Sequence, residues 1–172
     1  MRRKKAGDKL IDEAYEQAVR VLGNCVSESG LKASAKPNGY PQVWARDSMI
    51  ALLGACLVDD EKIRNALRSG LNTLRKNISP LGIIPNNVDT RTLKPNFQAY
   101  ADGGLWFVIG NAALFEQTGD IAFLKKNYPF VKKILRWYEY QDVDESGLLS
   151  TQEASDWEDL FVTRGKTLYV NV

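Results

Sequence analysis

The sequence predicts an all-α fold made of stacked helical hairpins. Apolar residues recur at three- and four-residue spacing in about five segments, and no convincing strand pattern occurs before the end of the chain. Twice, a nearly all-apolar segment is followed by an amphipathic, charged one, as expected for a buried helix covered by an outer helix. The chain has 172 residues, of which 44% are apolar, and is therefore long enough to form one domain-sized core.

The first inner and outer pair is predicted between residues 47 and 76. An amphipathic helix over about residues 10–22 precedes it. After a loop rich in Ser, Lys, Pro and Asn, Asp47 opens the nearly all-apolar segment Met49–Val58, where an Asp is a favourable N-cap. Asp59 and Asp60 then start an outer helix that has one apolar stripe and basic residues on its other face.

The second pair is predicted after a long loop. Residues 77–100 carry several Pro and Asn without a helical period, and we expect this loop to form a rim of a site. The mostly apolar helix 104–117 follows and ends at Gly119, a plausible C-terminal cap. Asp120 caps the next outer helix, which Pro129 either kinks or divides.

Composition excludes several classes of function. The chain has no histidine, which removes Ser-His-Asp and Cys-His catalysis and every metal site that needs a His ligand. Cys25 and Cys56 are expected in the core, unpaired. A formal net charge of +2 does not indicate a nucleic-acid-binding surface. The longest apolar run, Met49–Val58, is too short to span a bilayer. We expect a cytoplasmic protein with no cofactor, no metal and no membrane or nucleic-acid partner.

Three clusters combine tryptophan with carboxylates beside helix ends. They are Trp44–Asp47, Asp102–Phe107 and Asp156–Asp159. An aromatic ring covers the apolar face of a sugar, and charged planar groups can bind two hydroxyls each. The clusters therefore predict an oligosaccharide or polysaccharide ligand.

Seven motifs follow one another in order over about residues 38–172: Val43–Ser48, Gly82–Asn86, Asp102–Phe107, Thr118–Asp120 with Tyr128–Pro129, Asp144–Leu149, Asp156–Asp159 and Arg164–Lys166. With them the sequence resembles the amylo-α-1,6-glucosidases, the glucosidase domain of glycogen-debranching enzymes. Glucoamylases and carbohydrate phosphorylases share parts of the set. The resemblance implies the N-terminal part of an (α/α)6 toroid, in which six outer helices surround six inner ones and the sugar pocket lies at one mouth.

The resemblance also implies substrate-binding roles. Arg46 and Asp47 would bind the hydroxyls of the terminal glucose, and Trp44 would shape the pocket. Asp102 and Trp106 would line it. The alternative interpretation is structural, with Asp47 and Asp102 as helix N-caps and both tryptophans in the core.

The general acid is expected in the last cluster. Debranching enzymes and phosphorylases place it at the position of Asp159, whereas the glucoamylase pattern would place it on Glu158. Trp157, counted among the substrate-binding residues, and the apolar residues after Asp159 could keep the acid protonated by desolvation. The gap from Asp159 to Arg164 is shorter than in debranching enzymes, and Asp156 is expected in a solvated turn.

An inverting glycosidase needs a second carboxylate as general base. The resemblance places that base in the C-terminal half of the toroid, and the irregular segment 148–172 ends in an apolar run without a cap. We therefore expect the isolated chain to be inactive, with apolar faces that self-association or the missing half would cover. The alternatives are another enzyme of this barrel class, such as a glucoamylase, trehalase-like hydrolase or phosphorylase, a non-catalytic carbohydrate-binding protein, or a helical scaffold.

Overall fold

The computed structural model describes residues 6–158 and 160–172, with side chains described from residue 9 onward. Within these residues, five α-helices contain about half of the chain and the strands are two or three residues long. The helices are α1 (Ala6–Cys25), α2 (Ala45–Ala55), α3 (Glu61–Lys76), α4 (Gly103–Thr118) and α5 (Ile121–Glu139). The strands are β1 (Val26–Ser27), β2 (Gly30–Leu31), β3 (Gln42–Trp44), β4 (Asn87–Asp89) and β5 (Pro95–Asn96), and a 3-10 helix covers Tyr169–Asn171.

The two most apolar helices, α2 and α4, pack against each other and form the inner pair. Met49 and Leu52 of α2 and Phe107 of α4 are fully buried. The helices approach closely at Gly110, where an added Cβ would lie 2.3 Å from the Met49 sulfur. A side chain larger than hydrogen at position 110 would therefore force the buried Met49 side chain to move.

The amphipathic helices α3 and α5 cover the inner pair. Asp120 caps α5 as predicted, and Asp60, one of the two residues predicted to start α3, caps that helix. Each accepts a hydrogen bond from the backbone N–H three residues later, at 3.0 Å in both helices. Gly119 ends α4 in the left-handed conformation, at φ 65°. Pro129 lies inside α5 and does not divide it. The all-α prediction is confirmed, and the pairing of inner with outer helices is compatible with the predicted part of an (α/α)6 toroid.

Two small antiparallel sheets occupy segments that the sequence predicted as loops. Strands β1 and β2 form a hairpin, and β3, β4 and β5 form a sheet in that order. Val43 pairs with Val88 in the centre of this sheet, and both are fully buried. Each strand is too short for an alternating pattern to be recognised in the sequence. The backbone pairing of the sheet continues to the first residue of α2, where the Ala45 N–H donates to the Asn86 carbonyl at 2.8 Å.

Two predictions about the first half of the chain need correction. Helix α2 begins at Ala45, so Asp47 lies in its first turn and is not the N-cap, a position that Trp44 occupies without a side-chain hydrogen bond. Helix α1 extends to Cys25, but Leu10 and Ile11 are exposed and only its second half packs on the core.

Both cysteines are buried, unpaired core residues, as predicted, and burial raises the pKa of each thiol. Cys25 closes α1 and Cys56 follows α2. Across residues 6–158 and 160–172, none of the helices combines the length and the apolar character that a membrane crossing needs.

Candidate functional site

An ion pair joins the N-terminal ends of the two inner helices. Arg46 in the first turn of α2 donates from Nη1 to Asp102 Oδ2 at 2.7 Å. Asp102 immediately precedes α4, so the packing of α2 on α4 brings together two residues that are 56 positions apart. The Asp102 side chain is 4% exposed and that of Arg46 16%, which makes this a largely desolvated pair.

Tyr169 connects this ion pair to two tryptophans. Its hydroxyl donates to Asp102 Oδ2 at 2.8 Å and accepts from Trp106 Nε1 at 3.3 Å. Its ring lies edge-on to that of Trp157, with the centroids 5.9 Å apart. We call Arg46, Asp102, Trp106, Trp157 and Tyr169 the Asp102 cluster. It unites four of the predicted site residues, and Tyr169 is the member that the sequence reasoning missed.

The position of Tyr169 depends on the residues beside it. Asn171 exchanges two hydrogen bonds with the Leu149 backbone, accepting from its N–H at 2.7 Å and donating to its carbonyl at 3.0 Å. Val170 is buried. The two residues that follow Tyr169 are therefore anchored, one by burial and one by hydrogen bonds to Leu149. The only signal in the sequence was a tyrosine within an apolar run, which does not distinguish a site residue from a core residue.

Tyr138 of α5 fixes the backbone on both sides of Asp102. Its buried hydroxyl donates to the Ala101 carbonyl at 2.7 Å and accepts from the Leu105 N–H at 3.2 Å. Burial raises the pKa of Tyr138, so the phenol remains a donor at all physiological pH values. The outer helix α5 thus fixes the position of Asp102, whose carboxylate accepts hydrogen bonds from Arg46 and Tyr169.

The electrostatics of the Asp102 cluster reflect its burial. Desolvation raises the pKa of Asp102, and the opposing effects of the Arg46 charge and the Tyr169 hydrogen bond do not fully compensate. Burial and the hydrogen bond to Asp102 raise the pKa of Tyr169 to about 12. Neither hydrogen bond to Asp102 uses Oδ1. The carboxylate also interacts with its own backbone N–H, which favours its charged form.

The predicted cap at Asp102 is wrong in its chemistry. Asp102 occupies the N-cap position of α4 but makes no side-chain capping bond. Its backbone, at φ −101° and ψ −20°, is not in the extended conformation typical of capping residues. The carboxylate points to Arg46 and Tyr169 instead.

Trp44 and Asp47 lie apart from the Asp102 cluster. Trp44 is half-buried, with its ring edge-on to that of Tyr40 at 6.1 Å, and its indole N–H has no partner among the described residues. Asp47 is exposed and lines a cavity of about 170 Å³ together with Lys32. Within the described residues, no hydrogen bond, ion pair or ring contact joins either side chain to the cluster. Successive residues on a helix point about 100° apart, so Arg46 and Asp47 face different surroundings.

The predicted solvated turn at Asp156 is wrong. Asp156 is buried, and its Oδ1 accepts from the Glu158 backbone N–H at 2.8 Å. This hydrogen bond fixes the backbone on both sides of Trp157. A buried carboxylate that accepts a backbone N–H is a structural element of a turn.

Asp159, the predicted general acid, lies outside the described residues. The apolar side chains that flank it in sequence are exposed: Trp157 by 51%, Leu160 by 91% and Phe161 by 62%. These three side chains therefore do not form the desolvating pocket that the sequence predicted. In the part of the chain that the structure describes, no three or more Cys, Asp and Glu side chains are grouped to hold a metal ion.

The comparisons with known proteins agree with the motif resemblance. Residues 16–170 match the amylo-alpha-1,6-glucosidase family. A comparison with curated proteins gives no match, and neither does a comparison with solved structures. The family match covers α2 to α5, the Asp102 cluster and the motif around Asp159. The chain therefore belongs to the amylo-alpha-1,6-glucosidase family and forms a glycoside hydrolase-like domain.

Proposed function

We propose that residues 1–172 form one part of an inverting α-glucosidase that acts on glycogen-like or oligosaccharide substrates. The observation that carries the proposal is the Asp102 cluster, in which a desolvated Arg–Asp pair is bonded to a tyrosine that contacts two tryptophans. Such a cluster is formed before any ligand arrives, so little reorganisation is needed on binding.

The chemistry of the cluster suits a terminal glucose. Arg46 uses one N–H on Asp102 and has further donors in the same plane, while Asp102 Oδ1 offers an acceptor next to them. Adjacent donor and acceptor groups of this kind bind vicinal hydroxyls. Trp157 is half exposed and offers an aromatic face for the apolar side of a sugar ring. Tyr169 links it to Trp106, because its ring contacts Trp157 and its hydroxyl accepts from the Trp106 indole N–H. By the family resemblance, Trp44 and Asp47 contribute to the same substrate site.

The proposed reaction uses two carboxyl groups. Asp159 protonates the leaving glycosidic oxygen, and Glu158 is the alternative acid. A carboxylate ~6.5–9.5 Å from the acid activates water on the opposite face of the ring, and the product is β-glucose. The family resemblance places this general base outside the 172 residues. We therefore expect the isolated chain to bind sugar without hydrolysing it.

Binding by the isolated chain is the first test. Titration with maltose and maltotriose, followed by tryptophan fluorescence, should show saturable binding, and Asp102→Asn and Arg46→Met should each weaken it at least ~10-fold. Arg20→Met is the matched control, since Arg20 is an exposed residue of α1. Unchanged binding in both cluster variants would remove the main support for the proposal.

The reaction is tested with the complete product of the gene. Release of glucose from maltotriose and limit dextrin, with the anomer determined by NMR, should give β-glucose first, and Asp159→Asn should abolish it. Glu158→Gln separates the two candidate acids, and Glu145→Gln in an exposed turn is the control. α-Glucose as first product would contradict inversion. A requirement for phosphate would indicate a phosphorylase.

A non-catalytic carbohydrate-binding protein is the second candidate. The preformed Asp102 cluster together with the exposed side chains around position 159 favours it. It predicts that the complete gene product binds maltotriose through Asp102 and gives no turnover.

A further inference from the structure

Two sequence motifs near the end of the chain have no role in the proposed chemistry, and the structure joins them. Lys166, in the last motif, donates from Nζ to Asp144 Oδ2 at 2.5 Å and to Ser146 Oγ at 2.7 Å. Asp144 and Ser146 belong to the motif that begins at Asp144. The motif Asp156–Asp159, with the proposed acid, lies between the joined motifs in the sequence.

The two segments that flank the proposed acid also pair through their backbones. Thr151 and Gly165 exchange hydrogen bonds in an antiparallel bridge, at 2.9 and 2.7 Å. Further along, the Ala154 N–H donates to the Phe161 carbonyl at 3.2 Å. The chain between Ala154 and Phe161 is therefore a closed loop, to which Asp159 belongs by sequence, and the Lys166 contacts lie at the base of this loop.

The turn that presents Asp144 and Ser146 to the lysine is itself fixed. Asp142 Oδ1 accepts from the Ser146 N–H at 2.9 Å, and Asp142 Oδ2 accepts from the Gly147 N–H at 2.8 Å. Hydrogen bonds from Lys166 and from Ser146 lower the pKa of Asp144, so this carboxylate is charged at neutral pH. The ammonium group thus binds two oxygens that the turn holds in place.

The loop has one end beside the candidate site. The Ser155 carbonyl accepts from the Ala101 N–H at 2.7 Å, and Ala101 is the neighbour of Asp102. The apolar side chains of the loop are largely exposed, so packing contributes little to its position: they are Trp157, Leu160 and Phe161. The position of the loop therefore depends on the contacts at its two ends.

The other end of the loop is held by charged contacts. Besides the Lys166 contacts, Arg164 Nη1 lies 3.3 Å from Glu153 Oε1. The Arg164 pair joins two exposed side chains, whereas the Lys166 side chain is 31% exposed and bridges two oxygens. Lys166 is therefore the stronger of the two anchors.

We propose that Lys166 is a positioning residue, whose ion pair with Asp144 holds the loop of the proposed acid against the candidate site. The inference rests on the proposed function. Residues 160–163 alone separate Asp159 from the last motif, so a shift of the anchored end is transmitted to the acid. A general acid must lie within hydrogen-bond reach of the leaving oxygen. Its displacement lowers the rate of the chemical step and leaves sugar binding at the Asp102 cluster intact.

The test uses the kinetics of the complete gene product on maltotriose. Lys166→Met should lower kcat ~3- to 5-fold and change KM by less than ~2-fold, because an exposed ion pair changes an equilibrium by up to about 5-fold. Asp144→Asn should have the same effect, and the double variant should be no slower than either single variant. Lys166→Arg keeps the charge and should retain most of kcat. Lys9→Met, which removes an exposed lysine of α1, is the matched control.

Limited digestion with chymotrypsin gives a second readout that does not require turnover. The enzyme cleaves after aromatic and large apolar residues, and three exposed ones lie in the loop: Trp157, Leu160 and Phe161. Cleavage at these sites, identified by mass spectrometry, should be ~3- to 5-fold faster in Lys166→Met than in wild type and unchanged in Lys9→Met.

The outcomes separate this inference from the proposed function. A wild-type kcat in Lys166→Met, a rise in KM without loss of kcat, additive effects of the two single variants, or unchanged cleavage of the loop would each overturn the positioning role. The proposed function would stand if Asp159→Asn still abolishes glucose release. Absence of glucose release by the wild-type gene product would overturn the proposed function, and the positioning role with it. Circular dichroism of each variant verifies that the fold is retained.

Discussion

Replacing Tyr169 by phenylalanine tests the Asp102 cluster most directly. The substitution keeps the ring beside Trp157 and removes only the hydroxyl. Asp102 then loses one of its two side-chain donors, and the Trp106 indole N–H loses its acceptor. Because Asp102 is 4% exposed, water does not easily replace the missing donor.

The size of the effect follows from these two bonds. A hydrogen bond to a buried charged group contributes ~1.5–3 kcal/mol, and the bond from Trp106, at 3.3 Å, is the weaker of the two. We expect Tyr169→Phe to lower the free energy of unfolding by about 2 kcal/mol, which corresponds to a fall in Tm of about 4–8 °C for a chain of this length.

Urea unfolding followed by circular dichroism measures this change. Tyr140→Phe is the matched control, because Tyr140 is 72% exposed and its variant should stay within ~0.5 kcal/mol of wild type. In an Asp102→Asn background, the effect of Tyr169→Phe should shrink by more than half, since the two residues are coupled. A Tyr169→Phe effect no larger than that of Tyr140→Phe would refute the reasoning.

Three further predictions concern the fold. Gly110→Ala should destabilise the protein by ~1–3 kcal/mol through the clash with Met49, whereas Gly54→Ala, in a helix with open space around it, should stabilise it by ~0.5–1 kcal/mol in the same urea assay. Asp120→Ala should cost ~1 kcal/mol by removing the cap of α5, which thermal unfolding can measure. The pKa of Asp89 is lowered to about 2, chiefly by two backbone N–H groups in the turn between β4 and β5. Its contribution to stability is therefore present above pH ~4 and is lost as the pH falls towards 2, so Asp89→Asn should make the urea midpoint less dependent on pH in that range.

Local rules allowed the sequence to predict the outer helices. Asp60 and Asp120 each stand before an amphipathic stripe, and the predicted helix starts hold because a cap needs only residues three positions apart. The end of α4 at Gly119 was also predictable from local sequence, because glycine readily adopts the left-handed conformation that ends the helix. The family motifs correctly predicted membership, and the alternation of apolar with amphipathic segments predicted the pairing of inner with outer helices.

The candidate site was only partly predictable, because its contacts are long-range. Tyr169 and Asp102 are 67 positions apart, and the spacing of residues in the sequence carries no information about that pairing. The same holds for β4, which reaches the core through its pairing with β3 and shows no pattern of its own in three residues. The sequence predicted Arg46 and Asp102 separately, as members of two motifs, and only the packing of α2 on α4 shows that they form one ion pair.

Asp102 is the residue at which local stability and the proposed function diverge. Standing before α4, it could cap the helix, which contributes ~1 kcal/mol, yet its carboxylate is bonded to Arg46 and Tyr169 instead. Its raised pKa has a further consequence for stability. The folded state holds the proton more tightly than the unfolded state, so the free energy of unfolding decreases as pH rises from ~3.9 through the pKa of the folded protein. Asp102 thus makes no capping bond to α4, and its carboxyl group lies in a desolvated position. Departures of this kind from local rules are expected at functional sites, because a group positioned for a ligand is not positioned for its own helix.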